Sequence, residues 1–140
     1  MQTKEKNNLV FIRLFPGEKI FERLEQACRK YEIKTAVVIS GIGQLKNIQL
    51  GYFKEKGDYT PQRFEKSHEL LSLEGNISEQ KESYNFHLHV ILGDENKKVI
   101  GGHLIEGIVE VTNEIVILKT DLDIKRKLEE STGLKGMFLE

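Results

Sequence analysis

The sequence predicts an α+β domain, a mostly antiparallel β-sheet of about seven strands packed by a few helices. Segments of strand length, either alternating or continuously apolar, recur through most of the chain. A single stretch near the amino terminus instead repeats its apolar residues at three- and four-residue steps, the period of an amphipathic helix. In the middle of the chain, short polar or glycine-containing connections join the strand candidates. They are too short for the crossover that a parallel pair requires.

Residues 1–8 read as a flexible segment ahead of a single domain over residues 9–140. Leu9 to Phe15 forms the first strand, stopped by Pro16-Gly17. Ile20, Leu24, Ala27, Cys28 and Tyr31 then line one face of a helix whose other face carries Glu22, Arg23, Glu25, Arg29 and Lys30. The run Ala36 to Ile39 suits a strand buried on both faces, with Leu45 to Phe53 as its successor. Between them, Ser40-Gly41-Ile42-Gly43 reads as a glycine turn. A dinucleotide loop would need a third glycine and a helix starting there, so no nucleotide cofactor is implied. Further strands are predicted over Arg63 to Ile77, Tyr84 to Leu92, Val99 to Ile105 and Ile108 to Leu118. Asp121 to Ser131 has Ile124 and Leu128 four apart and Thr132-Gly133 at its end, the pattern of a short helix capping the sheet.

The chain has 140 residues, 31% of them charged, and a net charge of only −1. Such a balanced surface lacks the excess of Lys and Arg that a nucleic-acid glove requires. No apolar run approaches the roughly 20 residues of a membrane span. The first residues carry no secretion signal, so a cytoplasmic location is expected. The lone Cys28 falls in the helical pattern and reads as a small buried apolar residue.

The chemistry concentrates in three of the four histidines. In Tyr84-Asn-Phe-His-Leu-His-Val-Ile-Leu92, strict alternation sends Phe86, Leu88, Val90 and Leu92 to one face and His87 and His89 to the other, about 7 Å apart along the strand. Asp94 to Lys98 is turn-like, so Val99 to Ile105 can return beside that strand. If 89 faces 103, His103 joins the same face; a shift by one residue sends it to the opposite face. Gly101-Gly102 leaves room for a bulge that would correct the register. Three imidazoles with no evident fourth ligand match a zinc site with an open position, and iron, nickel or manganese would also suit them. The competing reading makes them ordinary polar residues on a half-exposed strand. His68 has no partner in sequence and reads as structural.

In their order and spacing, Ile39-Ser-Gly-Ile-Gly43, His68-Glu-Leu-Leu-Ser-Leu-Glu-Gly-Asn-Ile77, His87-Leu-His89, Gly101-Gly-His-Leu104 and Arg126 before Thr132-Gly133-Leu134 resemble the PPC (plants-and-prokaryotes-conserved) domain. The likeness covers roughly residues 9 to 138. The resemblance implies a curved sheet, a homotrimer assembled through the sheets, and a metal site at His87, His89 and His103. The fold is also similar to that of acetolactate decarboxylase. That likeness implies zinc chemistry of a lyase or hydrolase on a small, anionic carbonyl compound, with Arg13, Glu114 and Arg126 as candidate catalytic residues. The family's association with DNA supplies an alternative reading as a DNA-binding regulator. It is not favoured, because the chain has no AT-hook and Lys125-Arg-Lys127 is followed at once by Glu129-Glu130.

Overall fold

Val10, Ile12 and Leu14 alternate with Phe11 and Arg13, and this period of two turns three apolar side chains inward from the first long strand. The computed structural model describes residues 1–139, which form one helix and nine strands. In chain order these are β1 (Gln2–Lys6), β2 (Leu9–Leu14), α1 (Ile20–Lys30), β3 (Thr35–Gly51), β4 (Gln62–Phe64), β5 (His68–Gln80), β6 (Ser83–Gly93), β7 (Val99–Thr120), β8 (Ile124–Leu128) and β9 (Lys135–Leu139). The first seven strands make one antiparallel sheet ordered β1-β2-β7-β6-β5-β3-β4, and β8 and β9 form a separate hairpin.

The sheet is curved because β3 and β7 are long enough to change neighbours. Near its carboxyl end β7 lies between β2 and β3; near its amino end it lies between β6 and β3. The pairings β3–β5, β5–β6, β6–β7 and β7–β3 thereby close a circuit. Inside it Leu73, Leu88, Val90, Leu104, Ile115 and Ile117 are buried, and the apolar stripe of α1, Ile20, Leu24, Ala27 and Cys28, joins the same core. Removing each such large side chain from water contributes about 1.5–3 kcal/mol.

Several expectations are corrected. Ser40 to Gly43 is no turn: β3 passes straight through it, with register shifts against β7 between Val38 and Ser40 and between Gly43 and Leu45. Gly43 has φ +144°, and a Cβ there would collide with the Thr112 carbonyl, so the glycine serves a bulge with close backbone approach. The two strands expected over 99–118 are one, β7, whereas Arg63 to Ile77 divides into β4 and β5.

Residues 1–8, read as flexible, contain β1. Asn7 and Asn8 both have positive φ and make the two-residue turn that folds β1 onto β2, and the paired backbone orders a strand with no apolar face of its own. The carboxyl-terminal helix is absent, leaving one helix among the described residues where a few were expected. Ile124 and Leu128 satisfy a period of two as well as one near four, and Lys135 to Leu139 supplies a pairing partner around Gly133 at φ +72°.

Leu88 separates His87 from His89 and is wholly buried. Leu88→Ala should cost about 2–5 kcal/mol, read as a lowered urea midpoint at unchanged m-value. A change below about 0.5 kcal/mol, the range of surface substitutions, would contradict this packing.

Candidate metal centre

The centre is built on the β6–β7 hairpin. Asp94 accepts hydrogen bonds at Oδ1 from the backbone N–H groups of Asn96 and Lys98, both at 2.8 Å, and Lys97 takes φ +66°. These contacts define a three-residue loop whose last residue is left-handed. The loop sets Gly93 opposite Val99, and from there His89 opposite His103 with no register shift. Of the two registers that the sequence left open, the structure has the even one, and no bulge is needed. At Gly101 a Cβ would crowd the Val90 carbonyl oxygen at 2.7 Å, so the glycine permits the close pairing.

His87, His89 and His103 consequently share the outer face of the sheet. Their ring centroids lie 5.1 Å (87 to 89), 5.4 Å (87 to 103) and 5.5 Å (89 to 103) apart. One nitrogen from each ring lies within 4.8 Å of the other two. Burial, then the neighbouring His89 and Arg126 charges, lower the His87 pKa. Burial, with His87 and His89 beside it, brings His103 down to about 4. Both rings are thus neutral near pH 7 and offer the lone pairs that a metal requires. His103 Nδ1 is buried with no hydrogen-bond partner. Three imidazoles, one with an orphaned nitrogen, fit a divalent transition metal.

Residues from three other elements surround the cluster. Tyr59, in the loop after β3, sets its ring edge-on to His103 at 5.4 Å. Gly51 faces His103 across the strands, and a side chain there would overlap the Tyr59 ring. On β5, Glu74 pairs with His89 and Asn76 with His87. Arg126 reaches across from β8 and donates from Nη2 to Asn76 Oδ1. Sequence reasoning missed Tyr59, Glu74 and Asn76 as neighbours of the site. Only the side-chain parity of β5 against β6 could have signalled the last two, and nothing local signals Tyr59.

The three catalytic candidates separate. Arg126 stands beside the histidines. Arg13 and Glu114 face each other across β2 and β7, in a concavity also lined by Lys4, Phe11, Ser40 and Ile42, and no histidine lines it. His68 lies apart, buried, with Nδ1 3.0 Å from the Lys66 carbonyl oxygen and its ring against Phe64. Burial raises the Cys28 thiol to about 12, which leaves it unreactive. Among the described residues no helix is long and apolar enough to cross a membrane.

The family model described as the Plants and Prokaryotes Conserved (PCC) domain matches residues 1–121. A plant- and prokaryote-conserved (PPC) protein of Pyrococcus horikoshii is 34% identical, with 96% of this chain and 93% of that one covered at a TM-score of 0.81. The metal-containing protein AF0104 of Archaeoglobus fulgidus is 27% identical, covering 96% and 95% at 0.84. A candidate DNA-binding protein of Bacteroides thetaiotaomicron is 25% identical, covering 99% and 96% at 0.91. Two bifunctional GlmU proteins from Synechococcus strains match 92% of this chain at 28% and 26% identity, and the chain spans about a fifth of their length.

The depressed His103 pKa makes stability depend on pH. Between about 6.5, the unfolded value, and about 4, the unfolded chain holds a proton on this ring that the folded protein refuses. Stability of the metal-free protein should therefore fall as pH drops through that window and level off below it. Urea midpoints at pH 7 and pH 5 in EDTA should differ less for His103→Asn than for the unaltered chain. Equal differences would show that His103 contributes nothing.

Proposed function

We propose, for a chain that belongs to the Plants and Prokaryotes Conserved domain family, that it binds one divalent transition metal, zinc by preference, and presents it to a small anionic molecule. The observation that carries this is the convergence of His87, His89 and His103 on one outer face, with donor nitrogens within 4.8 Å. The likeness to a metal-containing protein of Archaeoglobus fulgidus supports it. Three protein ligands leave a position open, as catalytic zinc sites do. A zinc ion held there supplies Lewis acidity toward a carbonyl, or a bound water with a pKa near about 7, the chemistry of a lyase or hydrolase. The chain's own contribution is to keep His87 and His103 unprotonated and to hold all three imidazoles on one face. Tyr59 bounds the His103 side of the site, and Asn76 and Arg126 bound the His87 side.

The untagged protein should carry about one metal per chain by inductively coupled plasma mass spectrometry. His89→Ala should abolish it while leaving the unfolding free energy in EDTA within about 0.5 kcal/mol of the metal-free unaltered chain, because His89 is exposed. Undiminished uptake in the variant would sink the proposal.

We further propose that the protein assembles as a homotrimer through the outer sheet face. Phe11 is 55% exposed, Ile42 52% and Val37 41%, and Leu118 lies across from Val37, which makes a patch that solitary domains seldom leave to water. Phe11→Glu should reduce the mass measured by sedimentation equilibrium from three chains to one. A monomeric unaltered protein would refute the assembly.

A second reading, DNA binding, draws on the likeness to the Bacteroides thetaiotaomicron protein. The net charge of −1 opposes it. Fluorescence titration with duplex DNA at about 50 mM salt, where phosphate contacts are weakly screened, decides between them. Salt-sensitive binding would revive the DNA reading, and none would leave it without support.

A further inference from the structure

We propose that Arg126 is the anion-recognition residue of the histidine face, and that its ligand is a small carboxylate whose second oxygen function lies toward the three imidazoles. The proposal rests on the three-histidine metal reading and names the class of molecule that the site takes. Asn76 is the cross-strand partner of His87, and the guanidinium of Arg126 is tied to the Asn76 side chain, so β8 delivers a fixed cation next to the cluster.

Among the described residues this cation also lacks a counter-charge. Arg23 pairs with Glu18, Arg29 with Glu25 and Arg63 with Glu106. Among the described residues Arg126 has only neutral acceptors, the Asn76 amide oxygen and the Lys135 carbonyl at 3.4 Å. Its Nε is buried with no partner, and burial lowers its pKa. A partly buried guanidinium with an orphaned N–H is costly unless an acceptor completes it, and an anion does so best. The nearest acid by register, Glu74, accepts from Ser72 Oγ at 3.1 Å and shows no ion pair with Arg126.

Charge and shape select the ligand class. A divalent metal on three neutral imidazoles, beside a guanidinium, makes a site with surplus positive charge that favours an anion. A guanidinium edge matches the two oxygens of a carboxylate. With Asn76 on Nη2 and the Lys135 carbonyl 3.4 Å from Nη1, a ligand takes the terminal N–H groups that these two acceptors leave. A 2-hydroxy or 2-oxo acid can meet both requirements at once, with its carboxylate on Arg126 and its adjacent oxygen toward the histidines.

Calorimetric titration of the untagged, zinc-loaded protein with glycolate, its uncharged amide glycolamide, and inorganic phosphate tests this, alongside Arg126→Gln and Arg126→Lys. Metal content and urea midpoint are measured on every variant. Arg126→Gln should keep its metal and weaken glycolate by about ten- to a hundredfold, the worth of a charge-assisted pair, with glycolamide unaffected. Arg126→Lys, which keeps the charge without the fork, should fall between. If Arg126→Gln does not fold, Asn76→Ala, which frees the guanidinium, should weaken glycolate and spare the metal. Equal glycolate affinity in folded, metal-loaded Arg126→Gln overturns the proposal, and phosphate binding more tightly than glycolate overturns the carboxylate class. If the unaltered protein takes up no metal, the three-histidine reading falls by itself. Arg126 is then judged on metal-free protein, where Arg126-dependent glycolate binding supports its role and no binding refutes it.

Discussion

The double pairing of β7 is the constraint on which the rest of the structure depends. This strand is held by β2 and β3 near its carboxyl end and by β6 and β3 near its amino end, so the sheet must curl until the circuit through β5 and β6 closes. Curling creates an inside, and the inside takes Leu73, Leu88, Leu104 and Ile117 together with the stripe of α1. Because strand side chains alternate, each residue buried there obliges its neighbours to point outward. The histidines share an outer face for the same reason that Leu88 and Leu104 are buried.

Register converts that alternation into a site. With His89 opposite His103, a slip of one residue in the hairpin would bury His103 in the core and expose Leu104. The Asp94 loop and the burial of Leu88, Val90 and Leu104 resist such a slip together, one through hydrogen bonds and the other through the hydrophobic effect. The cluster is thereby held by forces that do not depend on a metal. Its partial burial keeps His87 and His103 unprotonated, which costs stability in acid and leaves nitrogen lone pairs available at neutral pH.

Two further features give the outer face its character. The β8–β9 hairpin brings a guanidinium to β5 with no carboxylate among the described residues to match it, while the exposed Arg29–Glu25 and Arg63–Glu106 pairs contribute little individually. Across β2, β3 and β7 the outer face carries Phe11, Val37, Ile42 and Leu118. A polar region with the histidines and Arg126 and an apolar one thus occupy different parts of the same outer face. The proposed ligand site and the proposed assembly surface draw on each separately.

The sequence by itself determined the features that local periodicity dictates. The 3.6-residue stripe of α1, the alternation that parts His87 and His89 from Leu88, and the turn at Asp94 to Lys98 each state their own conformation within a few residues. Residues 1–8 read as flexible because their charged residues show no apolar alternation, and the strand there is set by pairing with β2. Tertiary structure alone decided the rest. Whether Ile124 and Leu128 belong to a helix or a strand depended on Lys135 to Leu139 offering a partner, since their spacing serves both periods. Whether Gly43 turns the chain or bulges a continuous strand depended on the approach of Thr112. The company of the histidines was equally non-local: Tyr59 arrives across Gly51, Asn76 by β5–β6 register and Arg126 by a separate hairpin, while Arg13 and Glu114 are carried to a different concavity. The physical reason is that a strand's period settles which way each side chain faces, whereas pairing between distant strands settles which side chains meet.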